Sequence, residues 1–229
     1  DISKFEIVHN PDELKPVAQA VKMVHDGEED VLMKGLCSTD KFLRAILNKE
    51  TGLLPPKALL SHVGVIESPN YHKLLFLTDM AVVPLPDLKQ KMTLTNYVVK
   101  VAKSFGISKP KVAFVAASEQ VLASMPACLE AAALAKMADR GQIKGCIADG
   151  PLALDVAIDQ ESVEIKKLTS PVAGDADCLV FPNIESANVF WKTNSKLADG
   201  VRQAGMLVGT TAPCILASRA DSVDTKLNS

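Results

Sequence analysis

The feature of this sequence that most limits its fold is a regular alternation of short apolar runs with longer amphipathic stretches. Buried strands are predicted by runs rich in apolar and β-branched side chains at residues 31–33, 112–115, 146–148, 178–181 and 206–208. Helices are predicted between them, at residues 11–25, 38–47, 85–105, 126–138 and 186–197. Strands that alternate with helices form parallel βα units covered on both faces, so the pattern predicts an α/β fold.

Two further strand-like segments interrupt the alternation, at residues 58–66 and 73–78. The turn signal Ser68-Pro69-Asn70 lies between them, so together they predict an antiparallel hairpin. The best candidate for a domain boundary is the stretch 52–56, where Pro55-Pro56 interrupts the pattern.

Composition excludes several classes of protein. Apolar residues make up 48% of the 229 residues, which is enough to support a core and argues against intrinsic disorder. The formal net charge of −2 argues against broad, non-specific binding to nucleic acid. No apolar run reaches the length of a membrane span, and no secretory signal opens the chain.

The cysteines indicate a reducing environment. They number five, are widely spread and form no CxxC pair, which favours free thiols in the cytosol over a disulfide framework. The four histidines do not stand at zinc-ligand spacing from them, so the sequence predicts no structural zinc site.

Arginine is the most informative polar residue, because only four of the 25 cationic side chains are arginines. The guanidinium group suits bidentate binding of phosphate or carboxylate, so an arginine near small hydroxyl residues is a candidate anion ligand. Arg44 follows a helix start at Ser38-Thr39, and Arg219 directly follows Ser218 after an apolar run. The common nucleotide and hydrolase motifs GxGxxG, GxxxxGK[ST], GxSxG and HExxH are absent.

A resemblance to a known family runs in order along the whole chain. It is most specific at Asp149-Gly150-Pro151-Leu152, Phe181-Pro182-Asn183-Ile184-Glu185 and Ser218-Arg219-Ala220-Asp221-Ser222. Further matching stretches lie at residues 33–36, 42–50, 61–63, 75–79 and 137–146. The sequence resembles the phosphate acetyl/butyryltransferase family, and its phosphate butyryltransferase branch most closely.

The resemblance implies an acyltransferase that converts butyryl-CoA or a branched short-chain acyl-CoA, plus phosphate, to acyl phosphate plus CoA. The reaction is implied to be direct attack in a ternary complex, with CoA as a substrate and no metal or prosthetic group. The implied fold is a three-layer, two-domain α/β fold with a mostly parallel sheet, related to isocitrate and isopropylmalate dehydrogenases. The active site is expected in the cleft between the domains of a cytoplasmic homodimer that binds neither nucleic acid nor membrane.

Residues 1–57 and 219–229 are assigned by the resemblance to the first domain, and residues 58–218 to the second. Family members normally carry further βα units before the equivalent of Asp1 and a continuing helix after Ser229. Part of the first domain is therefore expected to lie outside this sequence.

The roles of the site residues follow from the resemblance, position by position. Ser218 matches the serine that stabilises the tetrahedral oxyanion, and Arg219 matches the arginine that meets CoA or phosphate. Arg44 matches an arginine that clamps the acyl phosphate, and Ser38 and Thr39 match the helix start before it.

The general base is left open by the sequence. In the acetyl branch an aspartate seven residues after the serine is the proposed base for the CoA thiol, but that position here is Thr225. Asp221 and Asp224 are nearby, and either is a candidate.

Four further residues have two interpretations each. Lys34 is expected either to reach phosphate at a strand end or to extend past apolar neighbours to solvent, and His62 either to bind substrate or to be a half-buried strand histidine. Asn183 and Asn188 are expected to line the cleft or to hold turns. At the level of the whole chain, the alternative to an active enzyme is a non-catalytic fragment or CoA-binding module of the same fold.

Overall fold

The computed structural model describes residues 2–12 and 15–229. These residues form one eight-stranded sheet in the order β1-β8-β7-β2-β3-β6-β4-β5. The strands are β1 (Leu32–Met33), β2 (Ser61–Glu67), β3 (Leu75–Thr78), β4 (Lys111–Val115), β5 (Ile147–Leu152), β6 (Cys178–Val180), β7 (Arg202–Val208) and β8 (Cys214–Ile215).

Eight α-helices are found among the described residues. They are α1 (Lys15–His25), α2 (Thr39–Ile46), α3 (Leu88–Ser104), α4 (Pro126–Asp139), α5 (Leu154–Ile158), α6 (Gln160–Lys166), α7 (Ile184–Leu197) and α8 (Val223–Asn228). A short 3-10 turn at Ile2–Lys4 precedes them. None of these helices combines the length and the apolar character needed to cross a bilayer.

The sheet contains two parallel sets of strands that run in opposite directions. β1 and β8 form one set, and β3, β6, β4 and β5 form the other. Between the sets, β8 with β7, β7 with β2 and β2 with β3 all pair antiparallel. The predicted hairpin is the β2–β3 pair, in which Gly64 stands opposite Leu77.

Side chains on both faces of the sheet are buried, so the molecule has three layers. On β3, Phe76 joins a core cluster with Val98 of α3, whereas Leu77 points to the other face and joins a cluster with Trp191 of α7. A third cluster lies around β8, where Phe42 of α2 contacts the core. The predicted three-layer α/β fold is confirmed.

Most of the predicted elements form where the sequence pattern places them. The predicted first helix is described from Lys15 onward, and Pro11 and Asp12 form a bend. Leu14, which helical spacing places on the apolar face of that helix, lies outside the described residues. Strands from both sides of residue 57 belong to the same sheet. The division into two domains at residues 57 and 218 stays a prediction.

Candidate active site

A cleft of about 300 Å³ lies over the face of β2 and β7. It is enclosed by loops that follow the carboxyl ends of β1 and β8 on one side and of β3 and β6 on the other. Ligands of α/β sheets bind outside the carboxyl ends of strands, so this is the expected place for a site. The polar wall is formed by Thr39, Ser218, Arg219, Asp221 and Thr225.

Ser218 lies in a tight turn between β8 and α8. Its backbone N–H donates to Asp221 Oδ2 at 2.7 Å, and its Oγ accepts from the backbone N–H of Ala220 at 3.4 Å. Because Oγ is the acceptor in that contact, the hydroxyl hydrogen of Ser218 can donate to a substrate.

Asp221 and Asp224, the two candidates for the general base, are placed differently. Asp221 lines the cleft, where its Oδ2 already accepts from the Ser218 backbone. Asp224 is exposed on α8, and Thr225 is the residue of that helix turn that lines the cleft. Of the two carboxylates, only Asp221 therefore lines the cleft.

Thr39 is the first residue of α2, and the loop before it is held by a helix cap. Ser38 is the N-cap in extended conformation, and its Oγ accepts from the backbone N–H of Lys41 at 3.3 Å. The side-chain oxygen of a cap residue satisfies one of the unpaired amides of the first helical turn. The hydroxyl of Ser38 is thus engaged in capping α2, whereas Thr39 lines the cleft.

Arg44 is not among the residues that line the cleft. Its side chain is 79% exposed, and its Nε donates to both carboxylate oxygens of Asp40 at 2.9 Å. The role in clamping acyl phosphate therefore stays a prediction for Arg44, whereas Thr39, from the same helix, does reach the cleft.

Lys34 and His62 are both buried, each with 4% of its surface exposed. His62 lines the floor of the cleft, and its Nε2 lies 3.1 Å from the carbonyl oxygen of Leu216. Burial lowers the pKa of His62 from its ordinary value of 6.5 and so favours the neutral ring. Since a carbonyl can only accept, the proton of this neutral ring is on Nε2.

Burial also lowers the pKa of Lys34, and the neighbouring charge of Arg219 lowers it further, whereas Cys37 raises it. Its Nζ donates at 3.3 Å to the carbonyl oxygens of Gly35 and Ala217.

The comparison with known proteins identifies the family. The family model described as "Phosphate acetyl/butaryl transferase" matches residues 2–229. The chain belongs to this family.

Individual members of the phosphate acetyl/butyryltransferase family are similar over the full chain. The phosphate butyryltransferases of Clostridium acetobutylicum and Clostridium beijerinckii are each 50% identical over 229 residues, which is 100% of this chain and 75% of each relative. A crystal structure of a branched-chain phosphotransacylase from Enterococcus faecalis superposes with a TM-score of 0.88 and 32% identity. That match covers 98% of this chain and 79% of the other.

The relationship to dehydrogenases is one of fold alone. A putative 4-hydroxythreonine-4-phosphate dehydrogenase from Salmonella typhimurium matches with a TM-score of 0.50 and 11% identity, over 94% of this chain and 67% of that one. The expected dehydrogenase-like architecture of this family member is thereby confirmed.

The opposite wall of the cleft is apolar, and sequence analysis did not find it. It is formed by Met80, Ala81, Ile184 and Trp191, and Leu216, two residues before Ser218, adds a further apolar side chain to the lining. Met80 and Ala81 come from the loop after β3, and Ile184 and Trp191 come from α7. Their types are those of ordinary core residues, so residue type does not distinguish them.

Two glycines on the sheet beneath this wall leave room for the side chains that line the cleft. Gly64 of β2 stands directly opposite Gly205 of β7. A Cβ at Gly64 would lie 2.6 Å from the Trp191 ring and 2.7 Å from Met80, and a Cβ at Gly205 would lie 2.7 Å from the His62 ring. A glycine inside a strand often marks such a close approach. The two glycines are therefore the one feature of the sequence that indicates side chains packed closely on β2 and β7.

The two asparagines with open roles are now distinguished. Asn183 is the N-cap of α7, where its Oδ1 accepts from the backbone N–H of Ser186 at 2.9 Å. Asn188 lines the cleft and also donates from Nδ2 to the carbonyl oxygen of Met80 at 2.9 Å.

Within residues 2–12 and 15–229, no group of three or more histidines, cysteines or acidic residues is arranged to hold a metal ion.

Proposed function

We propose that this chain transfers a short acyl group from CoA to inorganic phosphate, yielding acyl phosphate and CoA. The observation that carries the proposal is the meeting of Ser218, Arg219, Asp221 and Thr39 at one cleft. The family membership and the 50% identity to two phosphate butyryltransferases support it.

The polar wall suits the anionic substrate and the charge that develops during reaction. A phosphate oxygen attacks the thioester carbonyl, a C–O bond forms, and the carbonyl oxygen becomes an oxyanion. The hydroxyl of Ser218 donates to that oxyanion. The phosphate is held by Arg219 through charge-assisted hydrogen bonds and by the amides at the start of α2, beside Thr39.

Collapse of the tetrahedral intermediate breaks the C–S bond and releases CoA as a thiolate. A thiol has a pKa of about 8.5, so at pH 7 the thiolate takes up a proton. We assign that transfer to Asp221: its Oδ1 takes the proton that hydrogen phosphate gives up as it attacks, and passes it to the departing thiolate, while Oδ2 holds the Ser218 backbone. In the reverse direction Asp221 is the base that removes the thiol proton.

The apolar wall suits the acyl chain. Met80, Ile184 and Trp191 face the polar wall across the cleft, so a thioester carbonyl at Ser218 directs its hydrocarbon tail toward them. Both substrates are held together in one ternary complex, and proximity supplies much of the rate without a covalent enzyme intermediate.

The test is phosphate-dependent release of free thiol from butyryl-CoA by the 229-residue chain. We expect release that saturates with phosphate, and we expect Ser218→Ala to lower kcat by about 100-fold, as for other single oxyanion donors. Ser104→Ala is the matched control, because Ser104 is exposed at the end of α3, where its Oγ donates to Val101.

Absence of thiol release, or full kcat in Ser218→Ala, would contradict the proposal.

The second candidate function is CoA binding without turnover. One observation favours it: Thr225, at the position of the acetyl-branch aspartate, lines the cleft without a carboxylate. Titration calorimetry with CoA and the thiol assay together distinguish the two functions. A binding module gives a heat of binding with CoA but releases no thiol from butyryl-CoA.

We further propose a cytoplasmic homodimer that uses CoA as a substrate and requires no metal or prosthetic group. The five unpaired cysteines support a reducing compartment. Light scattering on the purified chain measures the number of protomers.

A further inference from the structure

Two buried basic side chains hold the strand end that carries Ser218. The Nε2–H of His62 donates to the carbonyl oxygen of Leu216 at 3.1 Å, and Nζ of Lys34 donates to that of Ala217 at 3.3 Å. These are the two consecutive residues before Ser218. Both are buried, with 7% and 6% of their surfaces exposed, so their carbonyls depend on protein donors.

The polar atoms of His62 are already engaged within the protein. Nε2 contacts Leu216, and Nδ1 lies against the sulfur of Met80. The ring also fills the space where a Cβ of Gly205 would stand. A ring held on three sides is suited to support the backbone rather than to bind substrate.

Lys34 connects two loops of the polar wall. Its backbone N–H donates to the carbonyl oxygen of Ile215 at 3.0 Å, which fixes it beside β8. Its Nζ donates both to Ala217 and to Gly35, at the beginning of the loop that leads to Thr39. One ammonium group therefore joins the segment that carries Ser218 to the segment that carries Thr39.

We propose that Lys34 and His62 are positioning residues that fix Ser218 relative to Thr39 by anchoring the carbonyls of Leu216 and Ala217. We call these two side chains and two carbonyls the backbone anchor. The inference deepens the proposed function and rests on it for its kinetic consequence. A misplacement of about 1 Å in a catalytic group can cost about 100-fold in rate, so the anchor acts on kcat.

The kinetic test compares removal of each donor with its conservative replacement. Lys34→Met and His62→Leu remove the donor, whereas Lys34→Arg and His62→Gln keep an N–H at similar reach. We expect the removal variants to lose about 10- to 100-fold in kcat with KM for phosphate and butyryl-CoA within about twofold. The conservative variants recover most of kcat.

Thr95→Val is the matched control for the loss of a buried hydrogen bond. Thr95 is fully buried in α3, and its Oγ1 donates to the carbonyl oxygen of Lys91 at 2.7 Å, outside the cleft. We expect this variant to lose stability without losing kcat. Melting temperatures of all variants show whether a fall in kcat exceeds what destabilisation alone produces.

Hydrogen exchange followed by mass spectrometry gives a readout that does not need turnover. The amides of Ser218 and Asp221 are hydrogen-bonded within the turn. We expect peptides spanning residues 216–221 to exchange faster in Lys34→Met and His62→Leu, and at the parent rate in Thr95→Val.

Three outcomes would overturn the anchor. They are unchanged exchange at residues 216–221, a rise in KM with kcat preserved, and a loss of kcat that Thr95→Val reproduces. A rise in KM alone would show that Lys34 and His62 bind substrate. If the parent chain releases no thiol while the exchange responds as expected, the proposed function fails and the anchor stands.

Discussion

Arg44 carries its positive charge outside the cleft, where the carboxylate of Asp40 holds it. If it turns to meet phosphate, it must exchange that contact for one with a dianion. We predict that Arg44→Ala raises KM for phosphate by about tenfold, at the lower end of what a hydrogen bond to a charged group contributes. Steady-state kinetics with varied phosphate measure this.

The partner variant Asp40→Asn provides the control for Arg44. Removal of the competing carboxylate should lower KM for phosphate, because the guanidinium is then available. The exposed pair contributes only about 0.5 kcal/mol to the free energy of unfolding, so neither change should alter the melting temperature by much. Equal KM values in the parent and both variants would exclude Arg44 from the site.

The polar half of the cleft could be predicted from the sequence, and the apolar half could not. Ser218, Arg219 and Thr39 were found because hydroxyl and guanidinium groups beside strand ends and helix starts are chemically distinctive. Met80 and Trp191 were missed because apolar residues are equally at home in a core, and only the fold brings them to the cleft. The carbonyl groups of Ala217 and Leu216 that Lys34 and His62 hold lie more than 150 residues away along the chain, so these two contacts could not be inferred from spacing.

At the level of elements, a charge cluster joins the amino ends of three neighbouring strands, away from the cleft. Asp175, just before β6, accepts from Lys111 at 2.7 Å, from Lys73 at 2.7 Å and from His72 at 2.8 Å. Burial raises the pKa of Asp175, but the hydrogen bonds from these three partners outweigh it and hold the pKa well below 3.8.

The lowered pKa fixes the direction of the pH dependence. The ionised carboxylate stabilises the fold above the ordinary pKa of 3.8, and this contribution is lost as the pH falls below it. We predict that Asp175→Asn lowers the free energy of unfolding by about 1 kcal/mol at pH 7, with allowance for solvent screening. Urea denaturation measures the difference in free energy of unfolding between the parent and Asp175→Asn, and we expect that difference to be smaller at pH 3 than at pH 7.

Asp139→Asn is the comparison for this cluster. Asp139 also pairs with a lysine, Lys136, but both side chains are more than half exposed. Its replacement should change the free energy of unfolding by less than about 0.5 kcal/mol. An Asp175→Asn effect no larger than that of Asp139→Asn, or one that grows in acid, would contradict the prediction.

The elements that sequence analysis missed are short. α5 has five residues and α6 has seven, so neither completes enough turns for a helical period to stand out. The sequence predicts only the end of β7, because the strand begins with the polar residues Arg202 and Gln203 and the apolar run starts after Gly205. The long helices and the buried strands were recognisable because their periods repeat several times.

For the molecule as a whole, the cleft requires segments from near both ends of the described chain. β1 pairs with β8, so Leu32 stands opposite Cys214. Contacts between residues so distant in sequence form slowly, because the intervening chain must be ordered first. We predict that after dilution from urea, thiol-releasing activity returns later than far-UV circular dichroism, which reports the helices throughout the molecule.

Trp191 provides an independent signal for this experiment. It is the only tryptophan in the sequence and it lines the cleft, so its fluorescence follows assembly of the site. We expect it to recover together with activity. Recovery of activity, fluorescence and circular dichroism at a single rate would show that the pairing of β1 with β8 is not a late step.

The glycine pair beneath the cleft also limits how a protein of this sequence can diversify. Met80 occupies the space above Gly64 and touches the ring of His62, which in turn occupies the space above Gly205. A mutation that resizes the apolar wall at Met80 therefore also disturbs the side chain that supports Leu216. Ile184, the first residue of α7, lines the same wall and has no such contact with His62. Substitutions at Ile184 can therefore change the size of the acyl site with less disturbance of the catalytic groups.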